Sequence, residues 1–545
     1  MTKSASPWWA RQTAYQIYPR SFADANGDGV GDIPGIISRL DHLQDLGIGI
    51  LWLSPVFTSP MVDNGYDISN YRDIAPEFGT LEDMDTLIHE ARVRGIRIVM
   101  DLVVNHTSDQ HPWFQDALAD PTSPFRDFYV WRDPAPDGGP PNDLRSYFGG
   151  PAWSLEPKSG QYFLHFFAKE QPDLNWENPA LRAEVYDMMR WWRDRGIGGF
   201  RMDVIDHIGK VPDEKIATDG PRLHEYLQEM HREVLAGSDL LTIGESWSVT
   251  TDTALLYTGQ DRAELDMMFQ FAHIVEGWDP DGGKWQPLPF DLPAFKRVWF
   301  DWQAALSNDG WNALFLSNHD LPRQVSRYGN GSPDAAKAIA TAMHLMKGTP
   351  FIYQGEEIGM PNAGFDRIED YRDLETLNLY DERVTDGVAS GDFLQGAMTN
   401  SRDNARTPVA WSDDAGAGFT TGTPWIAIPA HAKDINVAGQ ANDPDSPLAH
   451  YKTLVQLRKD HAVITDGDFE PVLVEDDQVF AYARQDAETR LYVVVNWSDR
   501  PARVMLPAED IAQSTTLIST HGRERLTTEM ELAPWEAVVS TQNVG

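Results

Sequence analysis

The sequence predicts an α/β protein: a (β/α)8 TIM barrel with a small domain inserted after strand three and an antiparallel β domain at the C-terminus. Three observations carry that expectation. Eight short apolar runs rich in β-branched residues alternate with helix-length amphipathic stretches, the pattern of a parallel sheet with crossover helices. One long aromatic, Pro/Gly-rich stretch breaks the alternation, and a structureless loop of that length does not belong in a compact domain. Beyond the last helix-length stretch, the chain changes to short alternating runs split by turn residues, which read as an antiparallel sheet.

In chain order the expected strands are 14–22 (AYQIYPRSF), 49–56 (GILWLSPV), 96–105 (IRIVMDLVVN), 199–205 (GFRMDVI), 240–246 (LLTIGES), 265–271 (LDMMFQF), 311–318 (WNALFLSN) and 349–354 (TPFIYQ). Between the first three, 34–46 and 81–94 carry the helical period. The interruption at 107–177 is the inserted domain, so the barrel comprises 1–106 and 178–466. The runs EPVLV, QVFAYAR, RLYVVVNWS and RVMLP assign 467–545 to the C-terminal β domain. A Gly/Asp-rich loop at 411–423 is expected over the barrel mouth.

Composition narrows the function. Of 545 residues 41% are apolar, enough for a large core, so disorder is excluded as the main state. With 45 basic and 83 acidic residues the net charge is −38, which excludes binding to nucleic-acid phosphates or to an anionic membrane. There is no cysteine, hence no disulfide, thiol catalysis or Cys-ligated zinc. The N-terminal stretch MTKSASPWWARQTAYQIYPRSF has no apolar leader, and no run is long enough to span a membrane. A cytoplasmic protein, monomeric or a small homo-oligomer, is expected. The 19 Trp, 17 Tyr and 23 Phe include candidate platforms for a flat ligand such as a sugar ring.

In such barrels functional residues gather at the C-terminal strand ends. Those ends supply Asp101, Asn105 and His106 (DLVVNH), Arg201 and Asp203 (GFRMDV), Glu245 (IGES), and His319 and Asp320 (LSNHD). Arg201 and Asp203 are two apart and share one face of their strand. After the first strand, Asp24, Asn26, Asp28, Val30 and Asp32 match the opening of an oxygen-rich calcium loop, with a turn Gly at position six. Position twelve is Gly35, and a strand precedes the loop where an EF-hand has a helix. A structural Ca²⁺ on a βα connection is therefore expected, with no organic cofactor.

The four motifs, in order, together with GYDI, QPDLN and SRDNARTP, resemble the α-amylase family of glycoside hydrolases, in particular its oligo-1,6-glucosidase and dextran glucosidase branch. The resemblance covers essentially the whole chain. It implies that Asp203 is the nucleophile forming a β-glucosyl ester, that Glu245 is the acid and then the base, and that Asp320 grips the sugar hydroxyls. It implies that His106, Arg201 and His319 line the same glucose subsite. A retaining pair of this kind needs one ionised carboxyl and one with a raised pKa. Arg201 is expected to keep Asp203 ionised, and Trp247 to give Glu245 apolar cover.

The resemblance also implies a dead-ended pocket, closed by Asp63, Tyr66 and Arg402, with Arg406 a second candidate for the arginine. Such a pocket releases single glucoses from the non-reducing end of a small oligosaccharide. Val204, after the nucleophile, accompanies α-1,6 preference in the family. Three alternatives remain at this stage: an α-1,4-glucosidase, a transglucosidase or sucrose isomerase on the same scaffold, and a non-catalytic barrel serving as a partner protein. Isomerases of this type carry an Arg-rich loop after strand eight, whereas this chain reads GFDRIEDYRDLET.

Overall fold

The computed structural model describes residues 7–506 and 511–544. The first six residues of the N-terminal stretch and Pro507 of the RVMLP run lie outside the described residues.

All eight expected runs contribute a strand to one parallel sheet. They are β1 (Ala14–Ile17), β2 (Ile50–Leu53), β3 (Arg97–Leu102), β4 (Gly199–Met202), β5 (Leu241–Glu245), β6 (Met267–Phe269), β7 (Ala313–Leu314) and β8 (Thr349–Tyr353). Their order is β6-β5-β4-β3-β2-β1-β8-β7, and a parallel bridge from Met268 to Asn312 closes the barrel. The strands are buried almost throughout, which explains why their sequences read as continuous apolar runs. β4 lies so close to β5 that a Cβ on Gly199 would stand 2.1 Å from the Leu241 carbonyl oxygen, so only glycine fits there.

The strands are shorter than the runs that announce them, for local reasons. In 14–22 the ladder stops at Ile17, and Pro19, with no N–H to donate, opens a 3-10 turn. In 311–318 only Ala313 and Leu314 pair, and the rest of the run carries Ser317, Asn318 and His319 onto the rim. The helical stretch 34–46 divides into Ile33–Ser38 and Leu40–Leu46 at Arg39, whose backbone (φ −109°, ψ 4°) is not helical. Helix starts follow their caps. Thr80 and Asp83 form a reciprocal capping box at Leu81–Val93, and Asn178 caps Pro179–Arg195 with proline in the first turn.

Three additions stand around the barrel. Residues 107–177 hold the helix Pro112–Ala119 and a three-stranded sheet of Trp131–Arg132, Gln161–Leu164 and Trp153–Glu156, packed on Trp153, Leu164 and Phe166. A hairpin (Trp278–Asp279 with Gly283–Pro287) and the helices Leu374–Thr385 and Ser390–Asn400 form a second rim that the sequence reading did not anticipate. The two sides touch above the rim: Glu382 pairs with Arg145 at 2.6 Å and accepts the Gly150 N–H, while Asn378 donates to the Phe148 carbonyl. The tail forms a five-stranded antiparallel sheet. It is anchored to the barrel by Lys296, whose buried ammonium donates to the carbonyls of Leu473, Asp476 and Val479.

The 411–423 loop does not cover the mouth. It packs beside the loop after β1, where Asp24 N–H meets the Phe419 carbonyl and Trp411 Nε1 meets that of Phe22. Among the described residues no helix is long and apolar enough to cross a membrane.

Candidate active site

The strand ends converge on a pocket of about 670 Å³ at the C-terminal face of the barrel. At its floor, β3 and β4 are in a register that sets Asp101 opposite Arg201. The Arg201 guanidinium sits among three carboxylates. Nη1 donates to Asp101 and Asp203, both at 2.8 Å, and Nη2 donates to Glu245. The Trp52 ring lies against the same guanidinium, 4.8 Å from its carbon, and Trp52 Nε1 donates to Asp101. Val204, next to Asp203, is held in a left-handed conformation (φ 35°, ψ 48°), rare for a β-branched residue, and its N–H donates to Glu245 Oε2 at 3.1 Å.

A proton chain orients the floor. Gln16 on β1 donates to His319 Nδ1 at 2.8 Å, which leaves the ring proton on Nε2. Nε2 meets Tyr66 Oη at 2.6 Å, and Tyr66 donates to Asp101. The Tyr66 and His319 rings are stacked at 5.2 Å. Burial pushes His319 down to about 3 and His106 to about 4, so both rings are neutral. His106 Nε2 donates to the Tyr66 carbonyl, and Gln171 Nε2 donates to Asp63.

Two arginines close the far end. Arg402 Nη2 pairs with Asp63 at 3.1 Å, and its guanidinium lies 4.8 Å from the Phe148 ring centre. Asp320 accepts from Arg406 at 2.8 Å and from Arg402 at 3.4 Å. Burial raises Asp63 to about 6 against the pull of Arg402. Burial would raise Asp320 too, but the Arg402 and Arg406 guanidinium groups hold it well below the usual carboxylate range.

The structure thus places Asp63, Tyr66, His106, Asp203, Val204, Glu245, Asp320 and Arg402 on the pocket wall. Three candidates stand behind it. Arg201, His319 and Arg406 are each at most 1% exposed, shielded by the carboxylates they orient, so they position the lining and do not form it. Two electrostatic expectations need correction. Arg201 does not hold Asp203 ionised by itself: burial and the neighbouring Glu245, Asp101 and Asp320 push Asp203 up, and one guanidinium serves three acids. Trp247 gives Glu245 no simple apolar cover. It is 39% exposed, stacked on Phe271 at 3.8 Å, and turns Nε1 to Glu245 Oε1 at 3.3 Å. Glu245 is raised by burial first, against Arg201, with Asp320 and Asp206 adding to the rise.

Several residues of the site escaped the sequence reading. Asp373 accepts from Arg402 Nε at 2.7 Å and also caps the helix Leu374–Thr385. Lys284 and Glu375 pair at 2.6 Å on the outer wall, near Trp278 and Trp285. The signal for Asp373 was present as a helix cap in YRDLET, but nothing local tied that cap to Arg402.

In the loop after β1, the side-chain oxygens are turned inward on the backbone. Asp24 accepts from Gly27 and Gly29, Asn26 from Asp28, Asp28 from Val30, and Asp32 from Ala25 and Gly35. Among the described residues no three His, Cys, Asp or Glu side chains are placed to hold a metal.

Comparison with known proteins agrees with this arrangement. Residues 16–467 match the alpha amylase catalytic domain family. The chain is 52% identical to a palatinase of Erwinia rhapontici, and 48% identical to an oligo-1,6-glucosidase of Parageobacillus thermoglucosidasius. Each alignment covers 98% of both chains. The crystal structure of an isomaltulose synthase from Erwinia rhapontici NX5 superposes with a TM-score of 0.96 at 40% identity, covering 99% of this chain and all of that one.

The Arg201 cluster makes a stability prediction. Arg201→Gln leaves three buried carboxylates without a cation, and breaking such a pair costs about 3–5 kcal/mol. Their folded pKa values then rise further above the unfolded ones, so the stability they contribute is present at low pH and lost as pH rises. The gap between wild type and Arg201→Gln in urea midpoint is therefore expected to widen from pH 5 to pH 8. A gap constant across that range would contradict the shared-cation reading.

Proposed function

The chain belongs to the alpha-amylase family, and from that premise we propose a retaining exo-α-glucosidase that releases glucose from the non-reducing end of short α-glucosides, with α-1,6 linkages preferred. One observation carries the reading: Arg201 joins Asp203 and Glu245 at one end of a pocket that Asp63, Arg402 and Asp320 close at the other. A pocket closed in this way accepts a chain end and no continuing chain. The names of the similar palatinase and oligo-1,6-glucosidase support the substrate class.

In this mechanism Asp203, paired through one oxygen with Arg201, attacks the anomeric carbon as Glu245 gives its proton to the departing oxygen. Glu245, now ionised, takes a proton from water, which opens the β-glucosyl ester and restores the pair. Asp320 stays ionised at all working pH values and accepts hydrogen bonds from the sugar hydroxyls. Arg402 and Asp63 offer a donor fork and an acceptor to the non-reducing end.

A sucrose isomerase is the second reading, favoured by the similar isomaltulose synthase structure. Against it, the arginines of GFDRIEDYRDLET turn away from the pocket: Arg367 pairs with Glu369, and Arg372 donates to the carbonyls of Glu369 and Tyr371. A substrate panel of isomaltose, maltose and sucrose separates the two, since an isomerase converts sucrose to a disaccharide and a hydrolase yields glucose.

We also propose that the loop after β1 binds Ca²⁺. Asp24, Asn26 and Asp28 with the Val30 carbonyl offer a hard, all-oxygen donor set: Asp24 Oδ1, Asn26 Oδ1 and Asp28 Oδ1 each accept one amide and keep a second lone pair, while Asp32, whose two oxygens each accept two amides, braces the loop. The ion would brace the βα connection and take no part in the reaction. We also propose a cytoplasmic enzyme, monomeric or a small homo-oligomer; a chain of 545 residues without cysteine suits a reducing compartment.

Asp203→Asn is expected to lose at least about 10⁴-fold in turnover, because an amide cannot form the ester. Proton NMR should show α-glucose as the first product, and a β-anomer would sink the retaining mechanism. Glu245→Gln should fail on isomaltose yet turn over an activated aryl glucoside, with azide restoring rate and leaving as an α-glucosyl azide, since it opens the β-glucosyl ester from the face that water uses. Val204→Thr should raise the maltose-to-isomaltose ratio of kcat/KM roughly 10-fold, and equal losses on both would reduce Val204 to packing. Chelation should lower Tm by a few degrees and leave initial rates at 25 °C unchanged. Immediate loss of turnover on adding EDTA, reversed by calcium, would instead put the ion in the reaction.

A further inference from the structure

Three of the acids around Glu245 have a cation to share. Asp101 and Asp203 meet Arg201, and Asp320 meets Arg402 and Arg406. A fourth, Asp206, pairs with no Lys or Arg among the described residues. It lies on the 3-10 turn Ile205–Gly209 that follows Asp203 and Val204, and it is buried. Its Oδ2 accepts from Ser246 Oγ at 2.8 Å and from Ser248 Oγ at 2.6 Å, while Oδ1 is buried without a hydrogen bond. Ser246 is the residue after Glu245, and its Oγ also accepts the Val249 N–H at 2.9 Å. The acid's own turn is thus fastened to Asp206. Neutral hydroxyls stabilise a carboxylate but leave its charge uncancelled, and in a buried site that charge acts at full strength on its neighbours.

We infer that Asp206 is a positioning residue whose uncancelled charge, fastened to the turn that carries Glu245, sets the shared proton of the carboxylate cluster on Glu245 and not on Asp203. This rests on Glu245 being the proton donor. The charged groups facing Glu245 are Arg201, Asp101, Asp203, Asp320 and Asp206. Those facing Asp206 are Asp219, Tyr147, Tyr257 and Glu245. Tyr257 spends its hydroxyl on Asp219, so it gives Asp206 nothing. The charges that push Asp203 up come first from Glu245, Asp101 and Asp320, whereas Asp206 is among those that push Glu245 up. Burial raises Asp206 itself to about 6, so it carries its charge through the neutral range.

The test is the pH profile of kcat/KM on isomaltose. Its basic limb reports loss of the acid's proton. Asp206→Asn keeps an oxygen for the serine hydroxyls and removes the charge. Removing a nearby negative charge lowers the pKa of Glu245, so the basic limb is expected to move about one pH unit toward acid. One unit above the wild-type limb, the variant's rate relative to wild type falls roughly tenfold. Ser248→Ala keeps the charge and loosens the turn, and its limb should stay in place. If Asp206→Asn and Ser248→Ala both lower the rate evenly at every pH with unmoved limbs, Asp206 only supports the turn and the inference fails. Asp206→Ser removes the charge with a smaller side chain and serves if Asp206→Asn does not fold; failure of both to fold also overturns it. Azide rescue of Glu245→Gln separates the two levels. Without rescue the acid assignment itself is wrong, and with rescue but an unmoved limb this inference alone falls.

Discussion

One guanidinium facing three carboxylates is the constraint on which the site depends. Arg201 is buried, pairs with Asp101, Asp203 and Glu245, and has its face against Trp52. Three buried acids around one cation form an unstable set unless the shell fixes every partner, because each buried charge left unpaired costs several kcal/mol. The shell does so. Tyr66 and Trp52 donate to Asp101, the Val204 N–H donates to Glu245, and Gln16 sets the tautomer of the histidine behind Tyr66. The left-handed backbone at Val204 is part of the same cost, since it aims an N–H at Glu245 from a residue type that disfavours that conformation. Strain, desolvation and charge imbalance thus meet at the strand ends where the chemistry is placed.

The barrel was legible because its physics is local and repeated. Each buried parallel strand announces itself as a run of apolar, β-branched residues, and each helix by its period and cap. The carboxylates were legible because a closed barrel brings all strand ends to one rim, so Asp203, Glu245 and Asp320 needed only their order in the chain. What remained hidden depends on contacts that no periodicity encodes. Arg201, His319 and Arg406 sit behind the wall because neighbouring acids occupy the front, and a sequence does not say which of two polar residues is nearer the solvent. Asp373 reaches Arg402 from a helix start some thirty residues away, by a fold of the second rim that has no strand rhythm to reveal it. Trp247 was read as apolar although the indole N–H is a donor, and the geometry uses the donor.

The pocket divides its labour by depth. The floor is set by barrel strands, whose register cannot slip without moving every side chain in the sheet. The outer wall, with Trp278, Lys284, Trp285 and Glu375, stands on the hairpin and the paired helices, which the barrel tolerates as insertions. The reacting carboxylates therefore rest on rigid strands, while the glucose end held by Asp63 and Arg402 and the outer wall both depend on the added segments. Similar chains bearing different names can share a fold at a TM-score of 0.96 for this reason.

The clasp between Arg145 and Glu382 has a consequence for the order of events at synthesis. The two residues are 237 positions apart, and the pocket roof exists only when both insertions are present. A chain emerging from its N-terminus presents the inserted sheet and Asp203 and Glu245 long before the helix that carries Glu382 is made. The roof of the pocket is therefore among the last parts to be joined, by a contact that contains no reacting atom.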